Sequence, residues 1–173
     1  MLSIISYGLD TNDVLPAITY WLMGSLSFST SSIVWNLTIP MLSGILILIF
    51  FSKYLNALSL GDEEAKALGV NTKLLKLIII LVATLISALS VILAGIIGWI
   101  GLIIPHITRL IFGADNKVIL PMSALIGAIF LLLVDNVSKL IFSFEIPIGI
   151  VTAIIGIPIF IFVLKNAKKG FFK

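Results

Sequence analysis

Long apolar stretches with few charges alternate with short polar breaks along this chain. The stretches at residues 33–52, 74–97, 118–140 and 146–164 are each about as long as a membrane-spanning helix, because roughly 20 apolar residues cross the hydrocarbon core of a bilayer. A fifth stretch, residues 98–112, follows 74–97 without an intervening charge, and the joined run is too long for one helix. The residues that predict a break within this run are Gly95, Gly98, Gly101 and Pro105.

The first 32 residues predict shorter elements. Residues 1–8 are apolar but too short to span a bilayer, so they predict the end of a helix and a chain that is the later portion of something longer. The polar residues 9–14 then provide a loop and N-cap for a short helix over residues 15–24, with Pro16 in its first turn. The Ser- and Thr-rich residues 25–32 mark the next break.

Residues 58–70 form a polar island between two apolar stretches, and they predict a short helix. Three acids at its start suit the positive end of a helix dipole, and a glycine at its end suits a left-handed cap. Small residues and one leucine give the helix a smooth side that another protein could grip; a solvated connecting loop is an equally good interpretation. The acids are Asp62, Glu63 and Glu64, the cap is Gly69, and the smooth side is Ala65, Ala67 and Leu68. After the island, Asn71 and Thr72 offer an N-cap for the next span.

Composition places the chain in a membrane. Hydrophobic residues make up 60% of the sequence, charged residues 11% and the mean hydropathy is +1.26, whereas soluble proteins have about 25% charged residues. The absence of cysteine excludes disulfide frameworks and cysteine-based metal sites. No basic tract with interleaved aromatic residues indicates a nucleic-acid partner. We therefore predict an all-α polytopic membrane protein with about five transmembrane helices and short interfacial helices.

The basic residues predict the topology. Lysines flank the island and recur in the C-terminal tail, and short basic loops remain in the cytoplasm. An even number of crossings must then separate the island from the tail, so residues 98–112 have to cross as well, shielded by protein or lining a cavity. This topology places Arg109, Lys117 and the C-terminus in the cytoplasm, and Lys139 and Glu145 outside.

Residue chemistry gives no catalytic site. The chain has no Gly-x-x-x-x-Gly-Lys-Ser/Thr loop for nucleotide phosphates, so ATP hydrolysis would require a partner. No nucleophile–base pair, paired acids or metal-ligand spacing is present, and we predict neither an enzyme nor a cofactor. His106, directly after Pro105, fits a structural role at a helix end better than a proton relay.

Two further patterns each have two readings. Gly95, Gly98 and Gly101 allow close helix packing or a tight turn between spans. Asp135 and Lys139 are spaced i, i+4 and share a helix face. They form either a simple ion pair at the membrane edge or part of a functional site.

Several of these segments together resemble the FecCD family, the permease subunits of ABC importers for iron-siderophores, haem and cobalamin. The segments are residues 20–25 (YWLMGS), 60–70 (LGDEEAKALGV), 94–109 (AGIIGWIGLIIPHITR) and 145–153 (EIPIGIVTA), with Leu120, Pro121 and Asp135 between them. The likeness covers nearly the whole chain, which corresponds to the later half of a full-length member.

The resemblance implies a fold, partners and site residues. The chain would be part of a permease homodimer in the inner membrane, with an ATPase subunit docked on a cytoplasmic coupling segment within residues 54–72 and a substrate-binding protein on the outer face. Lys139 stands where the family usually has Arg and implies the binding-protein contact. The coupling residues are Gly61, Asp62, Glu63, Glu64, Ala65, Lys66, Ala67, Leu68 and Gly69. The structural motif residues are Gly95, Gly98, Gly101, Pro105, His106, Arg109, Pro147 and Gly149. A small stand-alone membrane protein, such as a channel or assembly factor, is the alternative.

Overall fold

The computed structural model describes residues 14–26, 29–141 and 146–170, and seven α-helices occupy most of them. The helices are α1 (Val14–Leu22), α2 (Ser31–Leu58), α3 (Asp62–Ala67), α4 (Thr72–Ala94), α5 (Ile100–Phe112), α6 (Asn116–Ile141) and α7 (Ile148–Gly170). The predicted helix end at residues 1–8, the loop at residues 9–13 and the outward position of Glu145 lie outside the described residues.

Three of these helices, α2, α4 and α6, are long and apolar enough to cross a membrane. Helix α5 and the described part of α7, Ile148–Ile161, are shorter apolar helices. The all-helical membrane fold is therefore as predicted. Helix α2 ends at Leu58 and not at residue 52 as the hydropathy predicted. A helix need not end at the boundary of the membrane. Lys53 and Tyr54, directly after residue 52, continue α2, and Lys53 Nζ lies 4.9 Å from the ring centroid of Tyr54.

The break between α4 and α5 covers residues 95–99. Gly95 ends α4 with φ +66°, and Trp99 precedes α5 with φ +63°. The prediction that Gly101 and Pro105 also break the run is wrong, because both lie inside α5. A membrane helix tolerates an internal proline when neighbouring groups compensate for the missing amide donor.

Helix α6 lies at the centre of the packing and contacts α2, α5 and α7, whereas α4 packs on α2. The turns collect at two ends of this bundle. The end that we call the α3 end contains residues 56–71 and 109–117, joined by Asn56 and Asp115. The α1 end contains residues 20–26, 29–30, 94–99, 135–141 and 146–149, joined by backbone hydrogen bonds from Ser25 to Ala94 and from Ile148 to Gly24.

The core is small for the size of the chain. Its buried apolar side chains include Leu75, Ile103, Ile104, Ile119 and Val134. Large apolar side chains elsewhere face outward, for example Leu46 at 64% exposure and Leu132 at 62%. Such a surface suits lipid or further protein rather than water. The buried hydroxyl of Thr108 donates to the Ile104 carbonyl of its own helix over 2.8 Å, so its burial is compensated.

Candidate coupling surface

Helix α3 is short, and both of its ends are fixed by backbone geometry. Gly61 precedes it with φ +122°, and its carbonyl accepts from the Ala65 amide over 3.1 Å. At the other end Gly69 has φ +80° and donates to Lys66, while Val70 donates to Ala65 over 3.0 Å. These two bonds form a Schellman motif, so the predicted glycine cap is confirmed. A helix this short gains little from propensity and depends on such caps and on its contacts with α2 and α4.

The structure separates the residues that were predicted to share one smooth side of α3. Ala65 is completely buried against its own chain, whereas Leu68 is 65% exposed. The prediction that Ala65 faces a partner is therefore wrong. The i, i+3 spacing places two residues on one face only if the helix continues, and α3 ends at Ala67, one residue before Leu68. Leu60, just before the helix, is also 65% exposed.

Two of the three acids of α3 are paired within the chain. Lys76 Nζ lies 2.6 Å and 2.7 Å from the two carboxylate oxygens of Asp62, which ties α3 to the first turns of α4. Glu63 pairs with Lys66 over 3.0 Å. The hydrogen bond from Lys76 holds the pKa of Asp62 below its ordinary value. Asp62 and Glu63 thus serve to orient α3 within the chain. The third acid of this turn, Glu64, is exposed.

The connection from α3 to α4 is capped as predicted. The side chain of Asn71 accepts from the Leu74 amide over 3.2 Å at the start of α4, which confirms Asn71 as the N-cap. Thr72, the first residue of α4, is 3% exposed. Residues 61–72 therefore form a short, well-braced protrusion.

A polar network that the sequence did not reveal lies beside this protrusion. Asn56, near the end of α2, donates to Asp115 over 2.6 Å and accepts from the Asn116 amide over 2.9 Å. Arg109, in the last turn of α5, reaches the Asn116 side chain over 3.5 Å. Arg109 and Asn116 thus lie at the α3 end. Nothing in residue spacing signals a contact between positions 56 and 115, because the turn that brings them together is set by the packing of α2 on α6.

The α1 end contains the ion pair considered from the sequence. Lys139 Nζ lies 2.8 Å from Asp135, whose side chain is 17% exposed. The pair lines a small polar niche with Tyr20, Ser25 and Ser138. Lys139 therefore lies at the opposite end of the bundle from Arg109. The predicted topology, with an even number of crossings between the island and the tail, likewise places these two residues on opposite sides.

The motif glycines divide into packed and open positions. A Cβ on Gly95 would overlap the Trp21 carbonyl, and one on Gly149 would overlap the Met23 carbonyl. No heavy atom lies within 4 Å of a Cβ placed on Gly98 or Gly101. Gly95 and Gly149 hence permit close backbone packing at the α1 end. Gly98 lies in the turn before α5, where its carbonyl accepts from Ile100 over 2.7 Å.

Two further motif residues, Pro147 and His106, lie at the start of a helix and inside a helix. Pro147 precedes α7, and its carbonyl accepts from Ile150 over 3.0 Å. His106 is half-buried in the middle of α5, six residues from either end, so its predicted position at a helix end is wrong. In the described ranges no three His, Cys, Asp or Glu side chains gather as a metal site would require.

Comparison with known proteins places this arrangement in a family. The model of the FecCD transport family matches residues 1–166. The chain belongs to the FecCD transport family. It is 42% identical over 170 residues to the molybdate import system permease protein MolB of Haemophilus influenzae, covering 98% of this chain and 50% of that protein.

Other FecCD relatives carry different substrate names. A probable iron chelatin transport system permease protein of Helicobacter pylori is 42% identical, over 88% of this chain and 47% of its own length. The cobalamin import system permease protein BtuC of Halobacterium salinarum is 39% identical, over 90% of this chain and 42% of its own length. This FecCD chain spans about half the length of the curated relatives it matches.

A solved structure has the same fold. It is described as an inward-facing conformation of a metal-chelate type ABC transporter, and it matches with a TM-score of 0.85 at 43% identity, over 95% of this chain and 53% of that one. The resemblance predicted from sequence is thus confirmed, and the FecCD chain is a membrane permease segment with the α3 protrusion between two of its long helices.

Proposed function

We propose that this chain is the C-terminal portion of a permease subunit in an ATP-binding-cassette importer. A separate ATPase subunit docks on α3, and its closure drives alternating access in the membrane helices. The observation that carries the proposal is α3 itself. A rigid, capped helix of six residues protrudes from an apolar bundle and presents exposed apolar side chains at both of its ends.

The docking surface has a definite composition. Its apolar anchors are Leu60 and Leu68, each 65% exposed, with the carboxylate of Glu64 between them. Apolar anchors ringed by polar groups supply most of the affinity at protein interfaces. Ala65 is buried and is not part of this surface. It packs α3 against the bundle and so holds the exposed side chains in position.

The topology follows from this assignment. The α3 end, with Arg109 and Lys117, faces the cytoplasm, and the C-terminus lies on that side of the inner membrane. The α1 end faces outward and receives a substrate-binding protein through Lys139. A second permease subunit, most simply a second copy, covers part of the exposed apolar surface.

The substrate is a metal-containing chelate or oxyanion. The names of the relatives include molybdate, an iron chelatin and cobalamin, and our expectation from sequence was an iron-siderophore, haem or cobalamin. Uptake of radiolabelled iron chelate, cobalamin and molybdate by the same proteoliposomes would rank these substrates directly.

The docking surface is tested with two variants that introduce the same side chain. The permease would be reconstituted with the ATPase and binding protein of its transport system, and both ATPase co-purification and substrate uptake measured. Leu68→Glu should reduce both by about tenfold, which corresponds to about 1.4 kcal/mol of lost binding. Lys73→Glu, on the exposed first turn of α4, is the matched control and should reduce them much less. Normal assembly and uptake with Leu68→Glu would show that α3 is a solvated loop and would contradict the proposal.

A further inference from the structure

The Asn56 side chain bridges two parts of the fold with both halves of its amide. Its Nδ2 donates to Asp115 Oδ1 over 2.6 Å, and its Oδ1 accepts from the Asn116 backbone amide over 2.9 Å. Asn56 lies two residues before the end of α2, and its partners form the turn into α6. Two bonds from one planar group fix both distance and orientation, so this turn is held to the end of α2.

Asp115 is held in place for this contact by further hydrogen bonds at the start of α6. Its carboxylate also accepts from the Lys117 amide over 2.9 Å, and its carbonyl accepts from Ile119 over 2.9 Å, so Asp115 caps the start of α6. The Asn56 hydrogen bond, followed by that of Lys117, lowers the pKa of Asp115. A charged acceptor strengthens the bond from Asn56 relative to a neutral one.

Asn56 is also close to α3 along the chain. The Ser59 hydroxyl donates to the Asn56 carbonyl over 2.7 Å in the turn between α2 and α3. On its other side, α3 is tied to α4 by the Asp62–Lys76 pair. A force applied to α3 therefore reaches α4 through Lys76 and reaches the α5–α6 turn through Asn56.

The α5–α6 pair is suited to respond. Helix α5 has 13 residues and is preceded by the non-helical residues 95–99, so its α1-end connection is not a continuous helix. An open groove of about 360 Å³ separates it from α6 along a stretch lined by Gly101, Ala124 and Gly127, among others. The volume of this groove leaves space for one helix to shift against the other.

We propose that Asn56 is a positioning residue that transmits displacement of α3 to the α5–α6 turn. The inference rests on the proposed function, because the displacement is the one that ATPase closure imposes on α3. It assigns Asn56 a role that is distinct from docking, because Asn56 lies outside the exposed surface of α3. Substitution of Asn56 should leave the ATPase bound but uncouple ATP hydrolysis from substrate movement.

Exchange of the two side chains provides the test. In Asn56→Asp two carboxylates face each other and the donor is lost. The double variant, Asn56→Asp combined with Asp115→Asn, restores a donor–acceptor pair between the two side chains. The new carboxylate at position 56 accepts from the Asn116 amide and from the new side-chain amide at position 115. Because Asn56 and Lys117 both donate to Asp115 Oδ1, the Lys117 amide keeps an acceptor only if the new side-chain amide rotates. Asp115→Asn alone keeps an acceptor for both donors and should be mild.

Substrate moved per ATP hydrolysed is the decisive quantity, measured in proteoliposomes together with ATPase co-purification. We expect Asn56→Asp to lower the ratio by about tenfold, the effect of losing a bond to a charged group, with the ATPase still bound. The double variant should recover a large part of that loss, because the pair between positions 56 and 115 is restored.

Three results would overturn the inference: an unchanged ratio in Asn56→Asp, a double variant no better than the single one, or loss of ATPase binding in Asn56→Asp, which would make Asn56 a support for docking. The chain without substitutions separates failure of this inference from failure of the proposed function. If it shows no ATP-dependent uptake with its partner subunits, the proposed function itself fails, and the inference fails with it.

Discussion

The two ends of this bundle are held together by different chemistry. At the α1 end the long-range contacts end on backbone carbonyls: Ile148 donates to Gly24, Ser25 donates to Ala94, the Ser29 hydroxyl donates to Leu93, and Gly149 lies against the Met23 carbonyl. At the α3 end the long-range contacts are between exposed polar side chains, as in the pairs Asp62–Lys76 and Asn56–Asp115. Close-packed backbone cannot shift without a clash, whereas exposed side-chain bonds can break and re-form with water.

This difference indicates a division of roles. We expect the α1 end to stay fixed and the helices to shift relative to one another at the α3 end. In the proposed importer, the end that shifts would lie beside the ATPase. The predictions below test this contrast, beginning with the change that should have the largest effect.

Gly149→Ala should destabilise the protein most, because the added Cβ overlaps the Met23 carbonyl. Gly101→Ala is the matched control, since Gly101 is likewise the second residue of its helix but faces open space. We expect a loss of about 3 kcal/mol for Gly149→Ala and a change within about 1 kcal/mol for Gly101→Ala. The thermal unfolding midpoint in detergent provides the measurement. Equal midpoints for the two variants would show that the α1 end is not close-packed.

Ala65→Arg and Ala67→Arg compare a buried with an exposed position on α3. The buried position cannot hold a guanidinium, so Ala65→Arg should release α3 from the bundle at a cost of about 2–3 kcal/mol. Ala67 is exposed, and Ala67→Arg should leave α3 seated. Limited proteolysis of residues 59–71 would report the difference. Equal resistance to the protease in both variants would contradict the inward position of Ala65.

The pattern of apolar runs predicted the long helices, because hydropathy is local, but not all of their boundaries: α2 continues past residue 52, and α5 includes Gly101 and Pro105. It also placed Gly69 and Asn71 correctly as caps. The inward position of Ala65 could not be predicted, because it depends on where α3 ends and on which neighbours cover it. The contact of Asn56 with Asp115 is non-local and joins two ordinary polar residues. The sequence predicted close packing or a tight turn at Gly95, but not which backbone it meets, and it predicted Gly149 only as a motif residue that the family resemblance implies.

Lys139→Gln and Asp135→Asn separate the two roles considered for the ion pair at the α1 end. If Lys139 contacts the binding protein, Lys139→Gln should weaken docking about threefold to tenfold, as loss of a charged rim contact does, and Asp135→Asn should not weaken it. Binding to the purified binding protein at two salt concentrations would be measured. Equal docking by both variants would assign the 2.8 Å pair a purely local role.

The smallest expected effect is that of acid on α3. Because the folded-state pKa of Asp62 is lowered by Lys76, this pair stabilises the seated helix at pH values above the unfolded-state pKa of about 4. The contribution is lost as the pH falls through the lowered pKa. Hydrogen exchange at residues 62–67, corrected for the intrinsic pH dependence, should therefore lose protection in acid. The variant Lys76→Gln should lack this acid-dependent step; a step that persists in it would assign the effect to another group.

The central claim, that the ATPase engages the α3 end, is tested most directly without any substitution. Hydrogen exchange of the permease would be compared with and without its ATPase subunit. The account predicts slower exchange at residues 59–71 when the ATPase is bound, and unchanged exchange at residues 23–26 and 146–150 of the α1 end. Unchanged exchange at residues 59–71, or slowing confined to the α1 end, would contradict it.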